Sequence, residues 1–124
     1  MLVGLMLGLA SVALTALLSE SQAFVYLGVL LGGIGFVYAG FAVADGRPSA
    51  IAVNVAATAV FLSLGFLGAH HRSQLVLGLG FLAHAAWDWA HHDHHGPTQV
   101  RTWYPPFCAV VDAVIGLPLI VGWM

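Results

Sequence analysis

The stretch Ala23–Ala44, AFVYLGVLLGGIGFVYAGFAVA, contains no Asp, Glu, Lys, Arg or His. A helix rises about 1.5 Å per residue, so a run of this length covers the roughly 30 Å of a bilayer's hydrocarbon. Its residues are apolar throughout rather than alternating, which reads as a helix and not a strand. In lipid an open sheet cannot satisfy its own edge. The run ends at Asp45-Gly46-Arg47-Pro48, where Gly stops one helix and Pro opens the next.

Four further runs of similar character flank it: about Leu2 to Leu18, Ser49 to Ala69, Ser73 to Ala90, and Tyr104 to Met124. The links Ser19 to Gln22 and His70-His71-Arg72 are short, which makes sequential neighbours antiparallel. The link His91 to Trp103 is longer, and its Gly96-Pro97 is expected to break the fourth helix. The expected fold is therefore all-α, a multi-pass transmembrane bundle of about five helices forming a single domain over residues 1–124. The first run resembles a signal peptide at Ser21-Gln22-Ala23, but no Lys or Arg precedes its apolar part, and it is read as a helix.

Composition points the same way. Of 124 residues 60% are hydrophobic and 6% charged, against about 25% charged in soluble domains. A chain this small could not cover its surface with so few polar groups, so its expected partner is membrane lipid. Arg47, Arg72 and Arg101 are the only fixed cations and the net charge is −2, which removes nucleic acid from consideration. Arg47 and Arg101 fall on one side of a five-span bundle and Arg72 on the other, a count that favours a cytoplasmic N-terminus. A lone cysteine, Cys108, excludes a disulfide framework or a multi-cysteine zinc motif. Gly4 and Gly8, and Gly28 and Gly32, have the small-xxx-small spacing of close helix packing, either within the chain or in a homo-oligomer or larger membrane complex.

Seven histidines stand out against this background. The run His84-Ala85-Ala86-Trp87-Asp88-Trp89-Ala90-His91-His92-Asp93-His94-His95 carries most of them. At 100° per residue His84, Asp88, His91 and His95 share one helical stripe, about 60° wide. An ionised Asp at the centre of a membrane helix costs about 2.5–3.5 kcal/mol, so Asp88 and, in the fifth segment, Asp112 each need a partner, a proton or a metal. Counting inward from the two ends of the link, His84 lies about 12 Å deep and Asp112 about 10 Å, while Asp88 and Cys108 both lie near 5 Å. Antiparallel neighbours thus bring His84 level with Asp112 and Asp88 level with Cys108, and one shared site is expected.

Imidazole, carboxylate and thiolate are ordinary ligands for zinc, iron or copper, so one transition metal ion is the leading reading. The candidate ligands are His84, Asp88, His91, His92, Cys108 and Asp112, and Asp88 and Asp112 are also the candidate catalytic carboxylates. Two alternatives stay open: a hydrogen-bonded His–Asp cluster that specifies helix packing, and a proton or ion path. His94 reads as solvated, and His70 and His71 belong to the opposite surface. Asn54, Thr58 and Ser63 either line the cavity or bond locally. Trp87, Trp89, Trp103, Tyr104 and Trp123 fit an interfacial aromatic belt.

The pattern His84-x-x-Trp87-Asp88-x-x-His91-His92, followed by a Pro-containing link and Cys108-x-x-x-Asp112-Ala113-Val114-Ile115, resembles a family of small bacterial integral-membrane proteins designated domain of unknown function six thousand and ten. The similarity is most specific over about Gly78 to Gly116. It implies a compact multi-pass helical protein of the bacterial inner membrane, with His84, Trp87, Asp88, His91, His92, Cys108 and Asp112 as pattern positions, and it brings no established activity. Asp93-His94-His95 depart from the pattern. Three functions are therefore expected to compete: a metal-dependent hydrolase or oxidoreductase acting on a lipid-like substrate, a small proton or metal-ion transporter, and an accessory subunit of a larger membrane complex.

Overall fold

The computed structural model describes the whole of Met1–Met124. It consists of five α-helices and no strand: α1 (Leu2–Leu17), α2 (Glu20–Asp45), α3 (Pro48–His70), α4 (Gln74–Ala90) and α5 (Tyr104–Ile120). The all-helical expectation holds, and each helix falls within two or three residues of its expected start. By length and composition α2 and α3 are long and apolar enough to cross a membrane, while α1 and α5 are shorter apolar helices.

Local chemistry sets the helix ends. At the start of α2 the Ser19 hydroxyl accepts the Gln22 N–H, and the Gln22 side chain accepts the Ser19 N–H, so two otherwise unpaired donors are satisfied reciprocally. Gly46 closes α2 in the left-handed conformation at φ 77°, and Pro48 opens α3. The Ser73 hydroxyl accepts the Val76 N–H at the start of α4.

The helix α4 stops at Ala90, where its apolar run ends, and not at the expected break, Gly96-Pro97. The His91 ring donates its Nδ1–H to the Trp87 carbonyl at 2.8 Å, occupying the acceptor that a continuing helix would use, and the His91 N–H turns back to Asp88 instead. A short 3₁₀ turn, His92–His94, follows, with Asp93 and His94 at positive φ. His95 therefore leaves the expected stripe and lies exposed in the link.

Packing is by glycine. Gly28 of α2 and Gly65 of α3 face each other so closely that a Cβ on either would run into the other's carbonyl oxygen. Gly4 and Gly8 of α1 lie against Phe107 and Val114 of α5, and Gly32 lies against Leu62. All four glycines with small-xxx-small spacing are thus used inside the chain. Helices α4 and α5 pack as a second antiparallel pair, with Gly78 and Gly116 in contact. The buried core runs through Phe24, Leu27, Leu31, Phe61, Leu77, Phe81 and Ile115. A smaller aromatic layer, Tyr38, Tyr104 and Cys108 with Phe41 and Trp87 against it, lies toward the end that bears the α4–α5 link.

Candidate metal centre

Between these two layers α4 contributes His84 and Asp88, one turn apart, and α5 contributes Cys108 and Asp112, also one turn apart. His84, Asp88 and Asp112 are 0% exposed and Cys108 is 2% exposed. The His84 Nδ1–H donates to Asp112 Oδ2 at 2.7 Å and lies 3.4 Å from Asp88 Oδ2. The Cys108 thiol donates to the same Asp112 oxygen at 3.8 Å. The depth match read from the link is thereby realised as contact, His84 with Asp112 and Asp88 within reach of Cys108.

One ligand atom from each of the four residues can be chosen so that all lie within 4.8 Å of one another. Ligands held tetrahedrally at about 2.0–2.3 Å from a zinc-sized ion stand about 3.3–3.7 Å apart, so a small inward adjustment brings this group into range. Three of its buried polar atoms have no hydrogen-bond partner: His84 Nε2, Asp88 Oδ2 and Asp112 Oδ1. Unpaired polar atoms in a core are costly, and a buried group that leaves three of them has donor capacity for a ligand.

The remaining polar residues separate from this group. His91 is buried, with its Nδ1–H donated to Trp87, its Nε2 unpartnered and its ring 4.9 Å from Tyr38, and it lies outside the four-residue cluster. His92 is partly exposed, stacked on Trp89 and 3.4 Å from Asp93. His70 and His71 sit at the far end of the bundle, with His70 stacked on Phe66. Asn54 donates to the Ala50 carbonyl and to Thr98, Thr58 to the Gly35 carbonyl and Ser63 to the Ala59 carbonyl, so each bonds outside the cluster.

Two participants carry no spacing signal. Tyr38, in the middle of the apolar α2, donates its hydroxyl to Asp88 Oδ1 at 2.6 Å. The sign available in the sequence is only a phenol in an apolar run, one of two with Tyr26, and a phenol needs a partner when buried. The second is the tether on the link. Asp45, beyond the apolar run at the last residue of α2, accepts two bonds from Arg47, at 2.6 and 2.8 Å, and the Gln99 N–H at 2.8 Å. Arg47 also donates to the Pro97 carbonyl. With Asn54 bonded to Thr98, these contacts strap residues 97–99 over the end of the bundle. The Arg47 guanidinium and the Gln99 N–H hold the Asp45 carboxyl well below the usual carboxylate range.

A surface groove of about 400 Å³ between α2 and α3 is lined by Val25, Gly28, Leu62 and Phe66 among others and lies toward His70, away from the cluster. Neither the curated proteins nor the solved structures include a match to the chain. A family model does match, over residues 1–123. The chain belongs to the family of unknown function DUF6010.

Proposed function

We propose that this chain is a multi-pass integral membrane protein that holds one transition-metal ion between α4 and α5. His84, Asp88 and Asp112 are its ligands and Cys108 the fourth donor. The observation that carries the reading is the burial of two carboxylates, an imidazole and a thiol in one group, with three of their polar atoms unpartnered. Placing all five helices in the membrane is supported by the long apolar α2 and α3 and by the outward apolar faces of the shorter helices, such as Leu2, Met6 and Leu9 of α1. Desolvating two carboxylates costs several kcal/mol each unless a cation or strong hydrogen bonds compensate. A divalent ion supplies that compensation directly.

Such an ion, if zinc, lowers the pKa of a bound water and serves hydrolysis, and if iron or copper serves redox chemistry. The aromatic shell of Phe41, Trp103, Tyr104 and Phe107 between the cluster and the apolar exterior suits a hydrophobic or lipid-like substrate. The buried apolar layer of Leu31, Leu77, Phe81 and Ile115 beside His84 favours a resident ion over one in transit.

Metal analysis of protein purified in detergent tests the reading. About one equivalent of a transition metal is expected in the wild type, with loss in Asp112→Asn and stability lowered by a chelator. Metal-free wild type that neither takes up added zinc, iron or copper nor responds to a chelator would refute it.

A further inference from the structure

Tyr38 lies on α2, across the bundle from the helices that bear the cluster, and is 1% exposed. Its ring is held on several sides: 4.9 Å from His91, 5.7 Å from His84 and from Tyr104, and 6.0 Å from Phe41. A ring so confined has little freedom to move its hydroxyl. That hydroxyl donates to Asp88 Oδ1 at 2.6 Å, a short hydrogen bond. The second oxygen, Oδ2, has no hydrogen-bond partner and stands 3.4 Å from His84 Nδ1.

The two oxygens of Asp88 are thus made unequal. A free carboxylate can turn about its terminal bond and can take a metal ion with one oxygen or with both. Here one oxygen is already committed to a phenol on another helix, and the other faces the cluster. We propose that Tyr38 is a positioning residue of the metal centre: its hydroxyl pins Asp88 so that Oδ2 alone is presented to the ion. This inference rests on the metal-binding reading above and adds to it a residue and a mode of coordination. Partners of this kind orient the ligands they bond to, and their loss costs about 10–100-fold in metal affinity.

The experiment is titration of the metal-stripped protein in detergent with Co(II), in the wild type, Tyr38→Phe and Tyr26→Phe, read by affinity and by the visible absorption bands. Four-coordinate Co(II) absorbs strongly in the visible and five- or six-coordinate Co(II) weakly. Tyr38→Phe keeps the ring packing and removes only the hydroxyl. It is expected to weaken Co(II) binding about 10–100-fold and to lower the band intensity as Asp88 becomes free to chelate. Tyr26→Phe removes a hydroxyl from the same helix that bonds to Ser11 and not to the cluster, and it is expected to match the wild type. If Tyr38→Phe binds as tightly as the wild type with the same bands, the positioning role is overturned while the metal reading stands. If the wild type binds no Co(II), both fall.

Should Tyr38→Phe not fold, the wild type itself carries the test. The infrared difference between loaded and metal-free protein is expected to show the widely split carboxylate stretches of one-oxygen coordination, and narrowly split stretches alone would overturn the proposal.

Discussion

Replacing His84 with leucine isolates the energetics of the cluster. The side chain is 0% exposed and contacts two carboxylates that are 0% exposed, Asp112 at 2.7 Å and Asp88 at 3.4 Å. Leucine fills similar volume, so the cost comes from the carboxylates rather than from a cavity. The lost bond to a charged acceptor is worth about 1.5–3 kcal/mol, and the uncompensated second carboxylate brings the total to about 3–5 kcal/mol. The triple variant His84→Leu, Asp88→Leu, Asp112→Leu removes every charge at once. Replacing a whole buried ionic group by apolar residues is commonly neutral or stabilising by about 1–4 kcal/mol, but the Tyr38 hydroxyl loses its Asp88 acceptor at a cost of about 1–3 kcal/mol, so the triple variant is expected to recover part of the loss. Both are measured in metal-free protein by denaturant titration in detergent micelles, following helicity. The reasoning is refuted if His84→Leu costs less than about 1 kcal/mol, or if the triple variant is less stable than the single one.

Three other outcomes are expected. Asp45→Asn loosens the strap over residues 97–99, seen as faster hydrogen exchange at the Gln99 amide, with the helices unchanged. The Asp45 carboxyl is held below its ordinary range, so in the wild type this tether's contribution is complete above the unfolded value of about 3.9 and is lost as pH falls toward the folded value. Acidification is therefore expected to speed Gln99 exchange relative to that of helical amides, a change absent in Asp45→Asn. Gly65→Ala drives a Cβ into the Gly28 carbonyl and is expected to cost about 1–3 kcal/mol, whereas Gly33→Ala meets nothing within 4 Å and is expected to gain up to about 1 kcal/mol. Equal thermal stability of these two variants would contradict the packing described for α2 and α3.

Much of the fold is legible in the sequence because bilayer-length apolar runs punctuated by Gly, Pro and short polar links leave few alternatives to antiparallel helices. The core of the site is legible for a related reason. In neighbouring antiparallel helices joined by one link, depth can be counted from that link, and counting brought His84 to Asp112 and Asp88 toward Cys108. What periodicity could not carry were interactions between side chains distant in sequence or between a side chain and the backbone. Tyr38 reaches Asp88 from a helix fifty residues away. The end of α4 is set by an imidazole bonding to the Trp87 carbonyl, which removes His95 from the stripe and gives His91 a local partner. The contact of Gly28 with Gly65 depends on how α2 and α3 face each other, which spacing within α2 alone does not encode.

The most direct test of the central claim is anomalous diffraction, or X-ray absorption at the metal edge, on protein purified without added chelator. The account predicts one ion at about 2.0–2.3 Å from a His84 nitrogen and from oxygens of Asp88 and Asp112. An ion bound elsewhere, or a centre in which His84 still donates to Asp112 with no metal between them after incubation with zinc, iron or copper, would contradict it.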